Sequence, residues 1–192
     1  MKKFLNPFVY YSGGVTLTVG LTGMALMVAV AAVTGQTFRG ILSYGIGDLS
    51  CWRLAGQLLA GWILFSALLY AAARIFSTSQ IRLIDIAGNQ ALAKLTGLPL
   101  LLFAFVYPSR QLLQEAERFQ QMSLAGMQNL MPSSGMILTG LLAIVVLVWF
   151  FVWSYRGFSI AANLRGWKAA GIYVGCYLLA EVLASHCTAM LR

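Results

Sequence analysis

The stretch Ile84–Tyr107, IDIAGNQALAKLTGLPLLLFAFVY, decides how this chain folds. It is long enough to cross a bilayer, whose hydrocarbon core of ~30 Å takes about 20 residues as a helix. Its second half is almost wholly apolar, but its first half carries Asp85, Asn89, Gln90 and Lys94. An ionisable group at the bilayer centre costs about 2.5–3.5 kcal/mol on insertion scales. Lys94 must therefore reach water or find a partner inside the protein.

The surrounding sequence says that the solvent is lipid. Of 192 residues, 60% are hydrophobic and only 9% charged, with a mean hydropathy of +0.80. Soluble chains carry about 25% charged residues, and a domain of this length cannot hide so much apolar surface in one core. Five runs qualify as spans: Gly13–Thr34, Leu54–Ala73, Ala87–Tyr107, Gly135–Tyr155 and Ala169–Leu191. With no water to satisfy backbone groups, helices are the expected solution. The expected fold is thus an all-α integral membrane protein, one domain over residues 1–192 with five transmembrane helices in one bundle. An opening MKK and the Ala29–Ala31 segment could mark a secretory signal. The first apolar run is too long for an h-region, so it reads as an uncleaved span.

The net charge of +8 is scattered rather than clustered, with only Lys2 and Lys3 contiguous. No run interleaves bases with aromatics as a nucleic-acid groove would, so nucleic acid is not an expected partner. The basic residues instead report topology. Lys2, Lys3, Arg74, Arg82, Arg156, Arg165 and Lys168 fall on the N-terminal side, against Arg39, Arg53, Arg110, Arg118 and Arg192 on the other. That bias places the N-terminus inside and the C-terminus outside. Trp153 and Trp167 then flank the inner interface and Trp52 the outer one.

Two connections exceed a simple turn. Gly35–Arg53 contains Gly45 and Gly47, a lone GxG that reads as a flexible turn rather than a phosphate loop. Pro108–Pro132 places Leu112, Ala116, Phe119, Met127 and Leu130 on one helical face, opposite Gln114, Arg118 and Gln121. This is the pattern of an amphipathic helical segment at the outer interface between spans three and four; extension of the third span into solvent is the alternative.

Helices in lipid associate through close approach and polar contacts. In the first span Gly13, Thr16, Gly20 and Gly23 share a face suited to helix packing, and Gly56 and Ala60 form a small pair in the second. Lys94 lies about 15 Å into its helix from the inner end, and Glu181 is within about one turn of the same depth in the last span. Three outcomes stay open: a Lys94–Glu181 pair, Lys94 snorkelling to headgroups with Glu181 protonated or bonded to Tyr177, or a functional proton or ion relay. Pro99 cannot donate to the carbonyl of Leu95, so a bend is expected just beyond Lys94. Asp85 lies near the inner rim, where Arg82 or Arg74 can pair with it. Cys51, Cys176 and Cys187 form no ligand cluster; a Cys51–Cys187 disulfide on the outer side is conceivable.

The five-span pattern, the inside N-terminus, the opening FLNPF and the third-span entry RLIDIAGNQALAKLTGLP together resemble the Yip-domain family, in particular its short bacterial members. The resemblance implies a non-catalytic protein of the bacterial cytoplasmic (inner) membrane, with lipid, itself or other membrane proteins as partners. Eukaryotic Yip proteins also engage small GTPases, but their DLYGP motif does not occur in these residues, so nothing carries that activity over.

Three functions compete. The leading expectation is an organising or self-associating membrane protein. The second is a small channel or transporter whose polar path runs through Asp85, Asn89, Gln90, Lys94 and Glu181, which with Tyr177 make up the expected intramembrane polar cluster. The third, an intramembrane enzyme, lacks HExxH, has a single histidine (His186) and no buried acid pair. No enzymatic activity, cofactor or metal is expected.

Overall fold

The computed structural model describes Phe8, residues 13–121 and residues 133–191. The chain opens with α1 (Gly14–Thr34), which stops where Gly35 takes a left-handed conformation, φ 68°. A short hairpin follows, with β1 (Gln36–Phe38) antiparallel to β2 (Tyr44–Ile46) and Thr37 opposite Gly45. Next come α2 (Cys51–Phe76) and α3 (Leu83–Lys94), a single 3-10 turn at Leu95–Gly97, and α4 (Leu98–Phe103). The second half comprises α5 (Ser109–Gln121), α6 (Ser134–Ala162) and α7 (Gly166–Met190). The hydroxyl of Ser133 accepts from the Met136 N–H at 3.2 Å and caps α6. Asn163 in the left-handed region, φ 51°, ends that helix.

Among the described residues four helices are long and apolar enough to cross a membrane: α1, α2, α6 and α7. The expected third span, Ala87–Tyr107, is not one continuous helix. Thr96 turns its hydroxyl back on the Ala93 carbonyl at 2.9 Å, and Pro99 begins a new helical segment near its N-terminus. Gly97 serves a second purpose: a Cβ there would come within 2.0 Å of the Tyr44 hydroxyl. The helix thus breaks where the hairpin presses against it. The proline accounts for the expected bend, and the hairpin contact was not part of the sequence reading. Other boundaries differ modestly, α2 beginning at Cys51 and α6 running on to Ala162. Of the expected amphipathic segment, α5 covers Ser109–Gln121; Met127 and Leu130 lie outside the described residues.

α3 is the hub, packed against α1, α2 and α6, while α7 packs chiefly on α2. The α1–α3 seam is built from small residues. A Cβ on Gly20 would come within 2.5 Å of the Ala91 Cβ, and one on Gly23 within 2.2 Å of Leu95. From the other side, a Cβ on Gly88 would meet the Thr16 hydroxyl at 2.5 Å. Gly13, at φ 61°, has the Asp85 carboxyl beside it. The pairs run in the same order along both helices, so α1 and α3 are parallel.

Polarity across the molecule is inverted relative to a soluble protein. Gln57 is 0% exposed and Gln90 1%, while Ile144 is 61% exposed and Leu178 59%. Soluble proteins rarely bury such amides in number or present apolar stripes of this extent to solvent. The arrangement suits lipid outside and hydrogen bonding inside, as in a multi-pass membrane protein.

Candidate functional site

Lys94 ends α3 and is buried, 4% exposed. Its ammonium donates to the carbonyl oxygen of Ile41 at 2.5 Å. Glu181, on α7, accepts from the N–H of that same residue at 2.8 Å through one carboxylate oxygen. Its other oxygen accepts from the Ser43 hydroxyl at 2.5 Å. The two charges therefore do not meet directly. Between them lies Ile41 at the tip of the hairpin, its N–H facing the anion and its C=O facing the cation. The Glu181 carboxylate still acts electrostatically on the Lys94 ammonium.

Each element contributes for an identifiable reason. The 3-10 turn after Lys94 ends the helix at the level of the hairpin tip. Gly40 is required by close approach, because a Cβ would lie 2.3 Å from Glu181 Oε1. Gly61 of α2 faces the Gly40 carbonyl, with 3.4 Å available. Gly61 lies about 15 Å along α2 from Cys51, and Glu181 about 14 Å from the end of α7 at Met190. The hairpin tip thus reaches well down the helices rather than capping their ends. Ile41 itself is 2% exposed and belongs to the core formed with Phe65, Phe150 and Tyr173.

Further polar side chains hold the hairpin and the helices around it. Gln57 of α2 accepts from the Phe38 N–H at 3.2 Å and donates to the Thr188 carbonyl at 3.4 Å. Thr188 donates its hydroxyl to the Arg39 carbonyl at 2.6 Å. Asn89 donates to the Gly157 carbonyl at 3.0 Å, and Gln90 to the Ser154 carbonyl at 3.1 Å. The Ser154 hydroxyl donates back to the Gln90 amide oxygen. Trp62 donates to the Ala87 carbonyl at 3.0 Å. Nearly every bond joins two elements distant in sequence, and most end on backbone carbonyls.

The six residues expected as one polar cluster are therefore divided. Lys94 and Glu181 meet at the backbone of Ile41, one on its C=O and the other on its N–H, and Asn89 and Gln90 join α3 to α6. Asp85 stands apart against Gly13 and forms no ion pair with Arg82 or Arg74 among the described residues. Tyr177 makes no hydrogen bond to Glu181; its ring packs against Phe65 and Phe151, with centroids 6.0 and 4.8 Å away. Lys94 does not snorkel. The three cysteines are free, so Cys51 and Cys187 form no disulfide. Among the described residues no group of His, Cys, Asp and Glu is placed to hold a metal ion.

Ile41, Ser43, Gln57, Ser154 and Thr188 are absent from the sequence-based cluster. A buried-side amide in α2, Gln57, was the available signal; nothing in the loop sequence marks Ile41, because its backbone does the bonding. Comparison with known proteins gives no matching family model, no similar curated protein and no similar solved structure.

Proposed function

We propose that the protein is a non-catalytic integral membrane protein of Yip-like character that organises membrane partners or associates with itself. In this reading α3, the 3-10 turn and α4 form a fifth, discontinuous span. The N-terminus is cytoplasmic, the C-terminus lies outside, and the β1–β2 hairpin re-enters from the outer face. Irregular backbone at membrane depth is tolerated where protein buries it, and Gln36, Thr37, Phe38, Gly40 and Ile41 are all buried. What supports a structural role is the use made of the polar residues: Lys94, Asn89, Gln90 and Gln57 are all committed to inter-element hydrogen bonds. A conduction path needs polar groups with free valence facing a hydrated route, whereas Gln57 and Gln90 spend both ends of their amides on protein partners and the Asn89 Oδ1, without a partner among the described residues, is buried.

The alternative is a small ion or solute transporter. Two observations favour it: the helix break lies beside Lys94, as discontinuous helices do at transporter sites, and Glu181 is only half-buried, with Ser43 exposed. Reconstitution separates the readings. Proteoliposomes with the purified protein should pass K⁺, Cl⁻ and protons no faster than empty liposomes, while crosslinking in native membranes should recover a homo-oligomer or defined partners. Flux that Lys94→Leu abolishes in a still-folded protein would establish transport and end the organising reading.

A further inference from the structure

The side chain of Arg39 takes no part in the arrangement above. Its backbone is fixed at both ends, the N–H donating to the Ser43 carbonyl at 2.8 Å and the carbonyl accepting from Thr188 at 2.6 Å. The side chain is exposed and has no hydrogen-bond or ion-pair partner among the described residues. It lies across the facing strand above Gly45, where a Cβ would come within 2.1 Å of Arg39 Nε and 2.8 Å of its Cδ. Any larger residue at 45 would displace it. The glycine that reads in sequence as a flexible turn is thus a seat for the arginine.

That seat places Arg39 in a cleft of ≈ 320 Å³. Gln36 and Tyr44 of the hairpin, Leu100 of α4, Leu112 and Leu113 of α5 and Thr139 of α6 complete its walls. Among the described residues no carboxylate pairs with Arg39: Asp48 pairs with Arg110 at 3.0 Å, Glu181 holds Ile41 and Ser43, Glu115 bonds Tyr107 and Ser133, and Glu117 of α5, exposed, forms no ion pair with it. Thr139 lies about 8 Å along α6 from its start, a depth at which interfacial groups give way to acyl chains. A free guanidinium beside leucine walls at that level is complementary to an amphiphile with an anionic head.

We propose that this cleft binds an anionic phospholipid, the phosphodiester on Arg39 and Gln36 and an acyl chain along Leu100, Leu112 and Leu113. The guanidinium fork matches phosphate oxygens. Inorganic phosphate could use the arginine but would gain nothing from the three leucines.

The test uses the full-length protein in detergent micelles, with lipid retention read by native mass spectrometry. 1-Palmitoyl-2-oleoyl-phosphatidylglycerol should be retained about tenfold more tightly than the phosphatidylcholine of the same chains, because both carry the phosphodiester but the choline ammonium offsets its charge and is repelled by Arg39. Arg39→Gln should erase that preference, and Arg74→Gln, which removes an exposed cation at the far end of α2, should keep it. Leu113→Ser, at a half-exposed position, should weaken phosphatidylglycerol retention without unfolding the protein, which keeps the test sound if Arg39→Gln folds poorly. Equal retention of the two lipids, an unchanged preference in Arg39→Gln, or displacement of phosphatidylglycerol by equimolar inorganic phosphate would each overturn the proposal.

Discussion

At the scale of single residues, the backbone of Ile41 is the unusual object. A buried backbone carbonyl needs a donor and a buried N–H an acceptor, or each costs about 1–3 kcal/mol. Lys94 and Glu181 answer both needs with ionised groups, which make the stronger hydrogen bonds. Lys94→Met keeps the packing volume but strips the Ile41 carbonyl of its donor and leaves Glu181 without a counter-charge. Its thermal unfolding in detergent should fall by an amount corresponding to at least ~2 kcal/mol. Glu181→Gln should cost less than Glu181→Leu, since the amide oxygen can still accept from the Ile41 N–H and Ser43 can turn to accept from the amide. A ranking in which Gln and Leu are equally tolerated would remove the carboxylate from any role in holding the hairpin. That Lys94 needs either water or a partner was legible in the sequence, because a lysine in an apolar run is costly unless one is found; that it is buried was not, since its stem is long enough to snorkel. Its partner was not legible, because a main-chain carbonyl carries no side-chain signature.

At the scale of elements, spacing and identity carried different amounts of information. The Gly13, Thr16, Gly20 and Gly23 face reads directly from sequence, and in the structure Gly20 and Gly23 leave room only for Ala91 and Leu95. Gly20→Val should therefore push α1 away from α3, with a loss of about 1–3 kcal/mol, as overpacking of a close contact does. Gly14→Ala, with no atom of the described residues within 4 Å of its new Cβ, should be neutral or slightly stabilising. Comparing unfolding midpoints of the two variants tests the seam against a general intolerance of α1 to side chains. The Ala87–Tyr107 run was legible as one of membrane length and Pro99 as its weak point. The way it breaks was hidden, because Gly97 yields to Tyr44, a residue 53 positions earlier that belongs to a loop. Likewise the hairpin itself is too short for an alternating pattern, since two strands of three residues offer almost none.

At the scale of the whole molecule, the account requires a fixed relation between ends. Cys51 opens α2 and Cys187 nearly closes α7, and the two helices are tied at that end by the Gln57 bond to Thr188. Both cysteines are exposed and free. A membrane-impermeant maleimide added to spheroplasts of an expressing bacterium should therefore label both, and labelling of one without the other would break the proposed topology. That the chain is helical, with segments long and apolar enough to cross a membrane, was evident from composition and from the length of its apolar runs. What composition could not convey is that the interior is stitched by amides and hydroxyls onto carbonyls, so that the helices and the hairpin form one hydrogen-bonded unit. The most direct test is magic-angle-spinning NMR of the protein in lipid bilayers, with ¹⁵N-labelled lysine side chains and ¹³C-carbonyl isoleucine. A through-space contact between the Lys94 ammonium and the Ile41 carbonyl, lost in Lys94→Met and slow to exchange with water, is the predicted result. A Lys94 ammonium in rapid exchange with water and without that contact would contradict the account.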